Sequence, residues 1–291
     1  MSVILPAILP VFILALLGYA LAKTGRALDG GTTAFLVATV GTPSLVFLNL
    51  ATTEFRPETL MTLASATAIA IAFYLTAGAV ALSASGLSLR TYLPSLSFPN
   101  SGNLGLPLAL YAAGQQGLND AIIVFSVTSI ANMTAGQVIA AGKGKWGRAL
   151  RSPIIPAVIL GLGFAYARVP LPLWLTNTLQ LLSSLTIPLM LLMLGTSLAR
   201  IKVRGFPRAA ALSCLRIGMG MAAGFVLSSA FGFSGPERVA FVLQCAMPVA
   251  VYNYLFAQMY NNDPEDVASL VIVSTVLSVV TTPILLAVLV K

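Results

Sequence analysis

The sequence predicts an all-α integral membrane protein of ten transmembrane helices, arranged as two inverted five-helix repeats. Three observations carry this expectation. Of 291 residues, 58% are hydrophobic and 8% charged, about a third of the charge an ordinary soluble domain carries. Apolar segments of spanning length, about 20 residues each, recur along the whole chain. Landmark residues fall in the same order and at nearly the same spacing in the two halves. A porin-type barrel does not fit, because its strands alternate polar and apolar residues over about ten positions, whereas 154–167 and 179–194 are apolar on every side.

In chain order the segments run at 3–22, 32–51, 59–84, 91–114 and 120–141, then at 153–169, 173–198, 208–232, 237–260 and 266–290. Residues 1–12 hold Pro6 and Pro10 and lack the positive start of a signal peptide, so an uncleaved first helix is expected. The third segment is long enough to tilt. Residues 142–152 form a short basic loop between the repeats 1–141 and 153–291. Its GKGKWG stretch is not a phosphate loop: a Walker motif needs Lys then Ser or Thr, where Arg148 and Ala149 stand. It is expected to be a cytoplasmic anchor.

The repeats are read from spacing. Ile8-Leu9-Pro10 opens the first segment and Ile154-Ile155-Pro156 the sixth. Pro10 to Pro43 is 33 positions and Pro156 to Pro188 is 32; Pro10 to Pro99 is 89 and Pro156 to Pro248 is 92. Thr33 and Thr178 precede Pro43 and Pro188 by 10, and Pro99 and Pro248 precede Tyr111 and Tyr260 by 12. Five is odd, so the second copy enters the membrane from the opposite side, as in many secondary transporters. Charge gives an independent test of the topology. With both termini outside, Lys23, Arg26, Arg90, Lys143, Lys145, Arg148, Arg151, Arg200, Lys202, Arg204 and Arg208 lie inside, against Arg56, Arg168, Arg238 and Lys291 outside. Eleven against four satisfies the positive-inside rule.

Side-chain chemistry narrows the function. With no histidine in the chain, imidazole bases, His triads and His-ligated metals are removed together. Cys214 and Cys245 lie in apolar stretches without paired spacing and read as small packing residues. All eight acids (Asp29, Glu54, Glu58, Asp120, Glu237, Asp263, Glu265 and Asp266) fall at segment ends. Buried-carboxylate proton pumping, aspartyl proteolysis and metal-dependent prenyl transfer are therefore disfavoured. No enzyme, cofactor or metal centre is expected, and the basic residues at segment ends report topology, not nucleic-acid binding.

What remains is backbone. The fourth segment reads SFPNSGNLGLP at 97–107 and the ninth QCAMPVAVYN at 244–253. Pro99 and Pro248 stand about 12–16 Å into their segments, near the centre of a core of about 30 Å. Proline forces its predecessor extended, so each helix is expected to break there and a new half-helix to begin at the proline itself. The uncapped N–H groups and dipole ends of those half-helices suit an anion. Asn100, Ser101 and Asn103 surround the first break; Met247, Val249 and Asn253 flank the second. Arg216, inside the eighth segment, is expected to snorkel toward the basic 200–208 end, and Gly220 and Gly224 form a small-xxx-small pair for close packing.

Pro99-Asn100 followed by Gly105-Leu106-Pro107 resembles the fourth-helix signature of the auxin efflux carrier family, which includes the plant PIN exporters and bacterial permeases assigned to malate, malonate or similar acids. The run from Met247-Pro248 to Tyr260-Asn-Asn-Asp-Pro264 is similar to that family's ninth helix and following loop. The resemblance covers essentially the whole chain. It implies that helices 4 and 9 cross as well as break, in the manner of sodium–proton antiporters and bile-acid symporters. It also implies a scaffold and homodimer interface from helices 1, 2, 6 and 7, a moving domain from helices 3–5 and 8–10, and a substrate carboxylate at Pro99, Asn100 and Pro248. A bacterial inner-membrane location follows. The long regulatory loop of plant members is replaced here by about eleven residues. Ser126, Thr128, Asn132, Gln137 and Gln244 could supply neutral oxygens for sodium, as in the bile-acid symporter architecture. The expected function is thus a small-organic-anion carrier working by alternating access. A sodium-coupled symporter of the same fold is one alternative, and a non-transporting sensor or channel another.

Overall fold

The computed structural model describes residues 4–25, 29–52, 57–142, 153–200 and 205–289. Within them every regular element is helical, and the sole extended pairing is an isolated bridge between Pro99 and Val249. The loop expected as a cytoplasmic anchor lies, beyond Gly142, outside the described residues, as do Arg26, Glu54, Arg56, Lys202, Arg204 and Lys291.

Helix α1 spans Ile4–Lys23. The second segment is α2 (Gly30–Leu36), a π-helical turn (Val37–Gly41) and α3 (Thr42–Thr52). The third is α4 (Pro57–Ala84). The fourth and fifth are α5 (Leu89–Ser97), a π-helical turn (Ser101–Gly105), α6 (Leu106–Ala131), a further π-helical turn (Asn132–Gly136) and α7 (Gln137–Ala141). The second half holds α8 (Ile154–Ala167), α9 (Leu173–Ser184), α10 (Thr186–Arg200), α11 (Phe206–Ala230), α12 (Gly235–Ala246), α13 (Val251–Tyr260) and α14 (Pro264–Leu289).

Among the described residues, five stretches are long and apolar enough to cross a membrane: Glu58–Ala84, Ser101–Ala141, Leu173–Thr196, Phe206–Ala230 and Pro264–Leu289. Leu9–Lys23, Val37–Thr52 and Ile154–Ala167 are shorter apolar helices. The 41 residues of Ser101–Ala141 would reach about 60 Å as one straight helix, twice a bilayer core. Gly114, with φ 66° and ψ −162°, breaks the run inside α6. That is where the sequence predicts the boundary between its fourth and fifth segments.

Helix ends follow local chemistry. Pro57 opens α4 with Glu58 in the first turn, which suits the missing N–H of proline and the positive end of the dipole. At its other end Gly86 adopts φ 65° and the Leu87 N–H donates to the Leu82 carbonyl at 2.9 Å. Helix α11 closes alike, with Gly232 at φ 71° and the Phe233 N–H donating to the Ser228 carbonyl at 2.8 Å. Both are left-handed glycine caps that satisfy carbonyls otherwise orphaned. Each cap turns the chain directly into one of the two short helices, α5 and α12, that carry the breaks.

Packing falls into two groups. In one, α1 runs along α10, and α3 lies against α8 and α9. In the other, α6 packs on α12, α11 on α12 and α14, and α4 on α5, α6 and α11. Helix α1 also touches α6, and α3 touches α6. A polar cluster ties the second group together: the Tyr92 hydroxyl donates to Asp266 at 2.6 Å, Arg208 pairs with the same carboxylate at 3.0 Å, and Thr91 donates to Asp263 at 3.1 Å. Large apolar side chains such as Tyr166, Leu173, Trp174 and Leu181 are exposed, as a lipid-facing surface requires.

One expectation needs correction. Cys214 is exposed, so only Cys245 is a packing residue. Asp120 sits near a segment end as expected yet is fully buried, its carboxylate accepting from the Gln116 amide at 3.1 and 3.2 Å, because α6 is covered by α12.

The α1–α10 contact depends on glycine. A Cβ at Gly18 would strike the Leu192 carbonyl, and one at Gly195 the Ala15 carbonyl. Gly18→Val or Gly195→Val should therefore cost about 1–3 kcal/mol or more of stability through overpacking, read as a lower thermal unfolding midpoint in detergent. Valine at Gly163, where nothing lies within 4 Å of an added Cβ, should leave that midpoint unchanged.

Candidate functional site

Helix α5 ends at Ser97 because Phe98, the residue before Pro99, takes φ −116° and ψ 105°. Helix α12 ends at Ala246 because Met247, before Pro248, takes φ −62° and ψ 148°. A residue preceding proline is pushed to extended geometry by the ring, so two helices stop for one reason. The two extended segments then meet and run antiparallel. Pro99 bridges Val249; the Asn100 N–H donates to the Pro248 carbonyl at 2.7 Å, and the Ala250 N–H to the Phe98 carbonyl at 3.4 Å. The Asn253 side chain adds a bond to that Phe98 carbonyl at 3.1 Å. The Val249 N–H is taken by the Ser274 hydroxyl of α14 at 3.1 Å. A backbone break away from water must satisfy its polar groups within the protein, and here each extended strand does so for the other.

The new helices do not begin at the prolines, as the sequence reading expected. The chain resumes at the Ser101–Gly105 turn and at α13, whose first residue is Val251. The reason is the pairing itself: the prolines occupy the extended stretch, where their missing N–H removes no bond the bridge uses. Neither residue flanking the restarts, Asn100 or Ala250, places a side-chain cap on the amides that follow.

The predicted contact residues distribute as follows. Pro99, Met247, Pro248 and Val249 form the paired stretch and are buried; Asn100, Ser101 and Asn253 are buried beside it, and Asn103 is half-buried on the π-helical turn. Asn100 is 4% exposed and Asn253 2%, yet the Asn100 side-chain nitrogen and the Asn253 side-chain oxygen have no partner among the described residues. Burying such atoms unpaired costs about 1–3 kcal/mol each. The proposed ion ligands separate. Ser126 donates to the Ile122 carbonyl of its own helix at 2.7 Å, and Gln137 donates to the Tyr260 hydroxyl at 3.0 Å. The Asn132 side-chain oxygen is buried without a partner and stands against Gly136, next to the Phe98 ring. Gln244 is 0% exposed with neither amide atom partnered. With Thr128, Thr67, Tyr74 and Pro99 it lines a cavity of about 10 Å³, the space of a single water.

Arg216 does not snorkel. It is 0% exposed, and its guanidinium donates to the carbonyls of Leu96 at 2.9 Å, Cys245 at 2.5 Å and Met247 at 3.4 Å. Its carbon lies 4.3 Å from the centre of the Tyr74 ring, within cation–π range. The expectation failed because α11 turns this face inward. A Cβ at Gly220 would strike the Cys245 carbonyl, and one at Gly224 would meet Cys245 and Val242 at 3.2 Å, so α11 lies directly on the end of α12. Arg216, Gly220 and Gly224 are spaced by four and share one helix face. That stripe was the signal in the sequence: an arginine in register with two packing glycines belongs to the packed face. Tyr74 and Ser274, the other contributors missed, carry no comparable mark.

The family model described as "Membrane transport protein" matches residues 3–147 and 138–286. An uncharacterized transporter of Methanothermobacter thermautotrophicus is 29% identical over 296 residues, covering 95% of each chain. An uncharacterized transporter of Methanocaldococcus jannaschii is 28% identical over 189 residues, which span 62% of this chain and 61% of that relative. Apolar helices sufficient for several crossings accompany these matches, and the relatives are transporters, not enzymes. This chain therefore belongs to the membrane transport protein family, the auxin efflux carrier family that its fourth- and ninth-segment motifs resemble, and is a multi-pass membrane protein.

Proposed function

We propose that the chain is a secondary transporter that moves small organic anions by alternating access, binding the substrate carboxylate where the fourth and ninth segments cross. The observation that carries this reading is the convergence of two uncapped helix starts on a buried bridge, with an asparagine beside each whose side chain retains an unpartnered polar atom. Helix starts present N–H donors and about half a positive charge each. Asn100 adds a side-chain donor. The Asn253 oxygen suits a substrate O–H or N–H.

The cavity beside Pro99, about 10 Å³ and lined by α4, α6 and α12, is far smaller than a drug-sized ligand site of about 300–1,000 Å³, so substrate entry requires the helices around the crossing to move. In this reading the α1, α2–α3, α8 and α9–α10 group is the scaffold and dimer face, and the α4–α7 and α11–α14 group carries the substrate across. Ten crossings in two inverted repeats, both termini outside the inner membrane, complete the proposal. The break at Gly114 and the matching glycine caps after α4 and α11 support it.

Purified protein should be thermally stabilised by at least one of malonate, malate or indole-3-acetate, and proteoliposomes should show saturable flux of the same probe. Asn100→Ala should retain wild-type stability, since it deletes an unsatisfied donor, while weakening that probe by about 10–100-fold, the worth of one hydrogen bond to a charged group. Wild-type affinity in the alanine variant would remove Asn100 from the site, and absence of flux for all carboxylates tried would reject the carrier reading.

Sodium coupling is a second reading, favoured by the unpartnered Gln244 amide facing the same cavity as Thr128. It predicts that replacing sodium with choline lowers probe flux and that Gln244→Leu abolishes the sodium effect. Flux indifferent to sodium would leave the uncoupled carrier.

A further inference from the structure

Four helix ends meet at the crossing, and their charges nearly cancel without help. The ends of α5 and α12 present carbonyls, about half a negative charge each; the restarts at Ser101 and Val251 present amides, about half a positive charge each. The sum of those four contributions is about zero. A pocket built from helix ends alone would therefore have no reason to prefer an anion over a neutral molecule.

Arg216 changes that balance. Its three hydrogen bonds go to Leu96 and Cys245, in the last turns of α5 and α12, and to Met247 just beyond. The negative ends are thus occupied by a full positive charge, and the positive ends are left uncompensated. No carboxylate pairs with Arg216 among the described residues: its charge faces carbonyls and the Tyr74 ring. An isolated buried charge is strongly unfavourable unless paired, so the crossing holds about one unit of unbalanced positive charge in a segment that the membrane surrounds.

We propose that Arg216 sets the charge selectivity of the crossing: by neutralising the carbonyl ends of α5 and α12, it leaves the opposing helix starts net positive, and the substrate's carboxylate supplies the missing counter-charge. Arg216 acts through the helix ends and is a positioning residue; no contact with substrate is required. The inference rests on the carboxylate site proposed above and adds the reason that the site prefers charge.

The test compares malonate with malonamide and indole-3-acetate with indole-3-acetamide, pairs of similar shape in which the amide is uncharged, by thermal-shift titration of wild type, Arg216→Gln and Arg216→Lys in detergent. Wild type should prefer the acid of at least one pair. In Arg216→Gln that preference should fall on the order of tenfold or more, with amide binding unchanged, while Arg216→Lys, which keeps the charge but loses the planar fork, should be less stable and keep the preference. A purely structural arginine predicts the reverse: lower stability in both variants and an unaltered acid-to-amide ratio in Arg216→Gln, which would overturn the assignment. If Arg216→Gln does not yield folded protein, Arg216→His read at pH 6 and pH 8 decides: an acid-to-amide ratio below that of wild type at pH 8 supports the charge role, and a ratio equal to wild type at both pH values overturns it. A lysine variant that has lost the ratio overturns it too, and failure of both neutral variants to fold marks a structural arginine and overturns it as well. Absence of any acid preference in wild type would instead defeat the carboxylate site itself, a different failure from an unchanged ratio in the glutamine variant.

Discussion

Breaking a helix inside a membrane leaves backbone groups with no water to turn to, and the fold is organised around meeting that demand twice at one place. Each unpaired group costs several kcal/mol in hydrocarbon. The extended segments around Pro99 and Pro248 therefore bond to each other, Ser274 of α14 takes the Val249 amide, and Arg216 of α11 gathers three carbonyls. Neither break is tenable alone, which explains why α5, α12, α11 and α14 pack as one body. Small residues make the approach possible: glycines at 220 and 224 bring α11 onto the end of α12, close enough for an arginine side chain to reach the crossing.

The satisfaction of the crossing is lopsided, and the proposed function rests on that lopsidedness. The carbonyl ends are bonded to a cation, whereas the amide ends begin without side-chain caps and with asparagine atoms unpartnered beside them. In the proposed mechanism a ligand completes what the protein leaves open. No residue at the crossing itself carries a carboxylate or an imidazole, since the chain contains no histidine and the buried Asp120 belongs to the α6–α12 contact. Recognition there needs no protonation step.

Movement is proposed to divide the molecule along its weaker contacts. The polar cluster of Tyr92, Arg208 and Asp266 joins the starts of α5, α11 and α14, and the Asn262 side chain donates to the Ala140 carbonyl at 2.6 Å, tying in α7. These bonds keep the group that bears the crossing together as a unit. In the other group, the α1–α10 contact is close enough to exclude any side chain at Gly18 and Gly195. The small cavity beside Pro99 lies inside the group that bears the crossing, between α4, α6 and α12.

By itself the sequence determined the membrane class, the positions of the apolar segments and the two breaks, because each rests on a local rule: composition, run length, and the steric effect of proline on its predecessor. The segment boundaries at Ala84, near Gly114 and at Tyr260 were legible for the same reason. Tertiary structure alone decided where the helices resume, because pairing between strands about 150 residues apart moved the restarts past the prolines to Ser101 and Val251. It also decided the fate of Arg216. An arginine two turns from a basic helix end can reach water or turn inward, and the choice depends on which face of α11 meets α12 and on carbonyls that exist as acceptors only once both helices have broken. Local sequence fixes where the backbone loses its partners; only the folded molecule supplies the replacements.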